Sequence, residues 1–209
     1  MRPKTQRLYK KAMHSYTIGF GFRTPYQILL DSTFCKLATD QRIKLNDELQ
    51  TVLSSPTRPM TTECTINELR KTGDHGAVHT AKQFEIRKCK HRNPVSSEKC
   101  TLELVGAKNE KRFCIATQNE NVIRQLHDIP GVPILKLKNG LVILESLTNK
   151  TKQVIQKNEL TKTLPTQKEA EHLKIAKMIQ PPPSEPVHKR RKAKGPNPLS
   201  MKKKKKQQP

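Results

Sequence analysis

The stretch from Thr61 to Cys100 constrains this chain most. It holds Cys64, Cys89, His91 and Cys100, so one isolated cysteine is followed by a Cys-x-His pair and then by a third cysteine. Zinc prefers four nitrogen or sulfur donors in a tetrahedron, and a closed Cys3His set is a standard structural solution. The Cys-x-His pair can serve one ion only if the chain turns there, and Lys90 to Pro94 reads as irregular backbone. The competing explanation is four unrelated residues, with Cys64 a small buried hydrophobe. Five cysteines form no even disulfide framework, which favours a reducing compartment.

Charge divides the rest of the chain. The 209 residues carry 41 Lys and Arg against 18 Asp and Glu, a net charge of +23. Residues 1–30 hold six basic residues and no acid, and residues 187–209 hold ten and no acid. An ordinary domain of about +7 therefore lies between two cationic arms, which suit a polyphosphate because each neutralised phosphate releases a counterion. No apolar run approaches the roughly 20 residues of a spanning helix, and the arms lack the Trp or Phe belt of an interfacial one, so no membrane partner is expected. Residues 1–15 are basic without a following apolar segment, so no secretory leader is expected. Lys189-Arg190-Arg191-Lys192 and the run Lys202, Lys203, Lys204, Lys205, Lys206 read as nuclear or nucleolar address signals.

In chain order, residues 1–25 read as a basic arm. Tyr9, Tyr16, Phe20 and Phe22 alternate with cations such as Lys10 and Lys11, and Gly19 and Gly21 argue against a regular helix across Ile18–Phe22. These aromatics suit either base stacking or anchorage to the domain. Tyr26–Leu30 reads as a buried parallel strand ending in Asp31, where open α/β sheets collect ligands. Helical spacing follows to Leu53 and is broken at Pro56. Met60–Thr62 is a short strand. A helix capped by Thr61 or Thr62 carries Cys64 and Glu68, four apart on one side. A second helix is expected over His75–Lys88, and a short one near Cys100–Val105. Arg112–Thr117 and Val132–Leu137 are strands flanking a helix through Leu126. Asn139-Gly140 is the strongest hairpin dipeptide, returning through Leu141–Leu144.

The expected fold class is α/β, a three-layer domain over 26–147 with a mainly parallel sheet. A finger spans 64–100, a helical extension 148–180, and a Pro/Lys-rich tail 181–209 whose composition supports no core. Gly195-Pro196-Asn197-Pro198-Leu199-Ser200 stands out in that tail as a docking peptide rather than a spacer.

Pro25-Tyr26-Gln27-Ile28-Leu29-Leu30-Asp31, the Cys3His set, Ala116-Thr117-Gln118-Asn119, Pro130-Gly131-Val132-Pro133 and the Gly195–Ser200 island with its lysines occur together. Across nearly the whole chain they resemble the PIN-domain proteins of the small-subunit processome, on their degenerate branch. The resemblance implies an RNA-binding assembly factor of the nucleolus. It implies association with pre-rRNA, with an H/ACA small nucleolar RNA needed for 18S maturation and with other processome proteins. It also implies a structural Zn2+ on Cys64, Cys89, His91 and Cys100, while the concentration of charge places the RNA contacts on the two basic arms. Active relatives look like metal-dependent nucleases, with clustered carboxylates holding divalent ions. Asp31 and Glu68 match the first two acidic positions. Asn119 and Asn121 stand where active relatives carry Asp, which leaves an expected pocket charge of about −2, too weak for two magnesium ions. This departure favours a binding protein over an endoribonuclease using Asp31 and Glu68. A DNA-reading finger is set aside, because the His-x3–5-His half of such fingers is missing.

Overall fold

The computed structural model describes residues 2–165 and 167–179. They fall into two units, one running to Leu164 and the other starting at Pro165. The first contains α1 (Pro3–Phe20), β1 (Tyr26–Leu30), α2 (Ser32–Asp40), α3 (Leu45–Leu53), β2 (Thr57–Thr62), α4 (Glu63–Lys71), α5 (His75–Lys82) and β3 (Glu85–Arg87). It continues with α6 (Ser97–Val105), β4 (Cys114–Ala116), α7 (Glu120–Asp128), β5 (Ile134–Lys138), β6 (Leu141–Leu144) and α8 (Asn149–Thr163). The second contains α9 (Gln167–Ile179).

One six-stranded sheet runs in the order β3-β2-β1-β4-β5-β6. Its first five strands are parallel and β6 returns antiparallel to β5. Asn139 and Gly140 hold φ of 51° and 75°, the double left-handed geometry that a two-residue hairpin of matching twist demands. Alternation along β1 separates two cores. Ile28 and Leu30 face a layer built from α1 to α5, whereas Leu29 faces Phe113, Ile115 and the apolar sides of α6 and α7. The expected three-layer α/β architecture is therefore present.

Sequence order reverses between β1 and β4, which lie side by side at the centre of the sheet. Their carboxyl ends open the crevice where ligands of such sheets gather. Asp31 ends one strand and Thr117 the other.

Three expectations differ. Residues 1–25 are no free arm: α1 is helical through Gly19, and Gly21 caps it in the left-handed region. Ala12, Met13 and Tyr16 are buried, and the Tyr16 hydroxyl donates to the Val132 carbonyl at 3.3 Å. The aromatics thus anchor the helix to the domain. The helix expected over His75–Lys88 stops at Lys82, because Glu85–Arg87 pairs with Met60–Thr62 as an edge strand. Nor does the compact unit end at Leu147. Thr148 caps α8, and Ile155 crosses α1 so closely that a Cβ on Gly19 would lie 2.6 Å from it. The expected tail over 181–209 lies outside the described residues.

Gly131 joins these elements. Its N–H donates to Thr151 Oγ1 at 3.1 Å and its carbonyl accepts from Asn109 Nδ2 at 2.9 Å. Its φ is +78°, and a Cβ there would stand 2.4 Å from the Phe20 ring. Gly131→Ala is expected to lower stability by about 2–4 kcal/mol through left-handed strain plus displacement of α1. Urea denaturation of both proteins checks it.

A Cys3His centre beside an acidic pocket

The end of β2 and the start of α4 build one side of the centre. Thr62 caps α4 by accepting from the Thr65 N–H at 3.1 Å, which places Cys64 in the first helical turn. The loop after β3 carries Cys89 and His91. Ser96 caps α6, placing Cys100 near that helix start with no solvent exposure. The α4 and α6 starts are tied together by Thr65 and Ser97, whose hydroxyls lie 2.8 Å apart.

Among the described residues, Cys64, Cys89, His91 and Cys100 form a group able to hold a metal ion, with all four ligand atoms within 4.8 Å of one another. Cys64 Sγ lies 3.7 Å from Cys89 Sγ and 3.6 Å from His91 Nδ1. A tetrahedral ion about 2.3 Å from sulfur and about 2.0 Å from nitrogen requires edges of roughly 3.5–3.8 Å, so the donors fit. His91 Nε2 meets Glu103 Oε2 at 2.7 Å, which leaves Nδ1 as the inward donor. Burial pushes the Cys100 thiol up to about 12 and also raises Cys64. Burial acts the same way on Cys89, but hydrogen bonds, first from His91, outweigh it and hold that thiol below its usual value. The bonds to Cys89 and Glu103 raise His91. A metal bound here would displace the thiol protons, because the thiolate is the ligand.

The acidic pocket lies at the β1/β4 crevice. Asp31 is 2% exposed and caps α2. Its Oδ1 accepts from the Ser32 N–H at 2.8 Å, and its Oδ2 accepts from Thr33 and Thr117 hydroxyls at 2.8 and 2.7 Å. Glu68 Oε1 accepts from the Ser32 hydroxyl and Oε2 from the Ser97 N–H, both at 2.6 Å. All four oxygens of these carboxylates thus accept hydrogen bonds from the protein.

Asn119 belongs to the same network but does not point as expected. It caps α7, its Oδ1 accepting from the Asn121 N–H at 2.9 Å, while its Nδ2 donates to Glu98 Oε2 at 3.2 Å. Asn121 is exposed and joins through its backbone N–H. Helix α7 starts at Glu120, so Asn119 and Asn121 serve its first turn rather than facing the pocket side by side. Glu98 is the residue that sequence reading missed. It stands in the first turn of α6, brought to the pocket by the Ser96 cap. The pocket therefore gathers three carboxylates, Asp31, Glu68 and Glu98, rather than two. The available signal was an acid two residues before the candidate ligand Cys100 and two residues after the capping Ser96.

The two constellations share their supports. Helix α4 carries Cys64 and Glu68 on successive turns, and α6 carries Glu98 and Cys100. A metal clamping the cysteines also fixes the helices that deliver the carboxylates. Of the expected RNA contacts, Lys10 and Lys11 are exposed on α1; Lys189 to Lys192 and Lys202 to Lys206 lie outside the described residues.

The Fcf1 family profile matches residues 51–146, and the UTP23 sensor motif matches residues 188–206. The rRNA-processing protein utp23 of Schizosaccharomyces pombe is 32% identical over 231 residues, covering 97% of this chain and 88% of that protein. The rRNA-processing protein fcf1 of the same yeast is 30% identical over 129 residues, covering 60% of this chain and 66% of that one. The Homo sapiens FCF1 homolog, likewise named an rRNA-processing protein, is 29% identical over 142 residues, covering 64% and 70%. A solved structure titled as the PIN domain endonuclease Utp24 superposes with a TM-score of 0.54 at 30% identity, covering 59% of this chain and 94% of that one.

Proposed function

Because the chain belongs to the Utp23/Fcf1 family of PIN-domain rRNA-processing proteins, we propose that it is an RNA-binding ribosome-assembly factor that does not cleave RNA. It acts in early 18S rRNA processing within the small-subunit processome, in the nucleolus. Its partners are pre-rRNA, an H/ACA small nucleolar RNA and other processome proteins.

The observation that carries the non-catalytic reading is the state of the pocket. Asp31 and Glu68 are engaged at every oxygen as ties between β1, β4, α2, α4 and α6. The position expected to supply a further carboxylate holds Asn119, which serves as a helix cap. An amide brings no negative charge to concentrate divalent ions, and hard cations favour carboxylate oxygen. Fold alone carries no activity. One observation favours the endoribonuclease reading: Glu98 adds a third carboxylate to Asp31 and Glu68. The two readings separate in one assay, purified protein with labelled single-stranded RNA and Mn2+. No cleavage above background is expected. Cleavage by the native chain that disappears in Asp31→Asn would establish the nuclease.

The ion at the Cys3His centre is zinc in a structural role. Cys64, Cys89, His91 and Cys100 would hold it, with Glu103 orienting His91. When bound, zinc supplies folding free energy through a closed ligand shell.

A further inference from the structure

RNA-binding proteins that grip unpaired strands stack bases on exposed aromatic rings. This chain has no Trp, three Tyr and five Phe. All eight lie within the described residues, and none is exposed. Tyr16, Phe22, Tyr26, Phe34, Phe84 and Phe113 are buried, while Tyr9 and Phe20 are half-buried against the core. The rings that alternate with cations in the first 25 residues are turned inward, and the cations are left outside.

Those cations form a stripe. On α1, Lys4, Arg7 and Lys11 recur at helical spacing on the side opposite Ala12, Met13 and Tyr16, and all three are exposed. Lys4 to Lys11 spans roughly 10 Å at about 1.5 Å per residue. Helix α1 carries no acid. Lys11 and Lys152 of α8 line one groove, and Lys152 also borders the recess at the start of α8 with His127 and Lys150. Lys150 is paired with Asp128, and Glu145 with Lys136 and His127, so the free positive charge of this face sits on α1 and Lys152.

We propose that this face binds the backbone of double-stranded RNA, and that the protein selects structured stems over unpaired strands. The inference rests on the RNA-binding reading above and specifies its ligand. A-form duplexes are recognised by shape, phosphate and 2′-hydroxyl contacts, which need cations on a rigid element and no stacking platform. A helix pinned by buried aromatics is such an element. Phosphate neutralisation makes the contact salt-dependent, by about one logarithmic unit of slope per phosphate.

The test uses the full chain, with fluorescence anisotropy on an RNA hairpin of about 20 base pairs and on an unstructured single strand of about 20 nucleotides, across a salt series. The hairpin is expected to bind at least about tenfold tighter. The triple variant Lys4→Gln, Arg7→Gln, Lys11→Gln is expected to lower hairpin affinity about tenfold or more and to flatten the salt slope by about two to three units. Lys36→Gln, Lys71→Gln, Lys82→Gln removes three exposed lysines from α2, α4 and α5 and is expected to change affinity far less. Equal or tighter binding of the single strand overturns the duplex preference while leaving RNA binding intact. Equal losses in the two triple variants overturn the assignment to α1. Binding of neither RNA defeats the RNA-binding reading itself, and the α1 face then serves a protein. Chemical acetylation gives a readout independent of the variants: the hairpin is expected to protect Lys4 and Lys11 and to leave Lys36 and Lys71 reactive.

Discussion

Cys100→Ser is expected to lower the stability of the domain by about 3–5 kcal/mol and its melting midpoint by about 10 °C or more. Cys100 has no solvent exposure, and its sulfur sits between the capped starts of α4 and α6, 3.5 Å from Thr62 Oγ1. Without the proposed zinc, thiols would be packed against one another with no cation to share. Its loss would also free a long loop, since Cys89 and His91 tie the segment after β3 to the rest of the domain. The ties between Ser97 and Thr65 and between the Ser97 N–H and Glu68 then lose their clamp. The pocket should therefore loosen with the finger. Elemental analysis should give one zinc per native chain and a substoichiometric value in the variant, with a chelator lowering the native melt toward that of the variant. A native-like melt with a full zinc complement in Cys100→Ser would disprove the arrangement.

Asn109→Ala comes next in size, at about 3–4 kcal/mol. Asn109 is 4% exposed. Its Nδ2 donates to the carbonyls of Phe113 and Gly131, and its Oδ1 accepts from the Phe113 N–H, all at 2.9 Å. Truncation strands one buried N–H and removes a donor from two buried carbonyls, at about 1–3 kcal/mol for each group left unsatisfied. Asn109 also holds a φ of 45°, a region that Asn tolerates better than Ala. Asn109→Gly relieves the backbone but keeps the orphaned groups, so it should fall between native and Ala. Asn109→Asp keeps the acceptor and sets a charge against two carbonyls, so it should be about as damaging as Ala. Urea midpoints for the three variants check this ranking, and an Ala variant within about 1 kcal/mol of native would refute it.

What was legible in the sequence was whatever a short segment decides alone. Tyr26–Leu30 is apolar at every position but Gln27 because it is a central parallel strand, and the Asp31 that follows it falls at the crevice that this topology makes. Asn139-Gly140 specifies its own turn. The four ligands were readable as residue types, and the structure brings their donor atoms together. What failed depends on distant partners. Glu85–Arg87 has nothing strand-like in isolation and becomes a strand because β2 offers an open edge. Helix α1 tolerates Gly19 because Ile155 fills the space a side chain would need. Glu98 was invisible because its place depends on where α6 begins. Where Asn119 and Asn121 point was likewise not legible, because it depends on Asn119 closing the first turn of α7 with its side chain.

The seating of α1 has a consequence for how the chain is made. Tyr16 finds Val132 across 116 positions of sequence, and Gly19 finds Ile155 later still. At bacterial to eukaryotic synthesis rates of about 5–20 residues per second, α1 leaves the ribosome on the order of ten seconds before its docking surface exists. During that interval its apolar side is bare beside a row of cations, in a cell rich in ribosomal RNA. Contacts this remote in sequence also slow folding, because closure entropy is lost before packing rewards it. Helix α1 is thus made before the elements it docks on and is among the last to be completed, so the nascent chain depends on whatever shields that helix in the meantime.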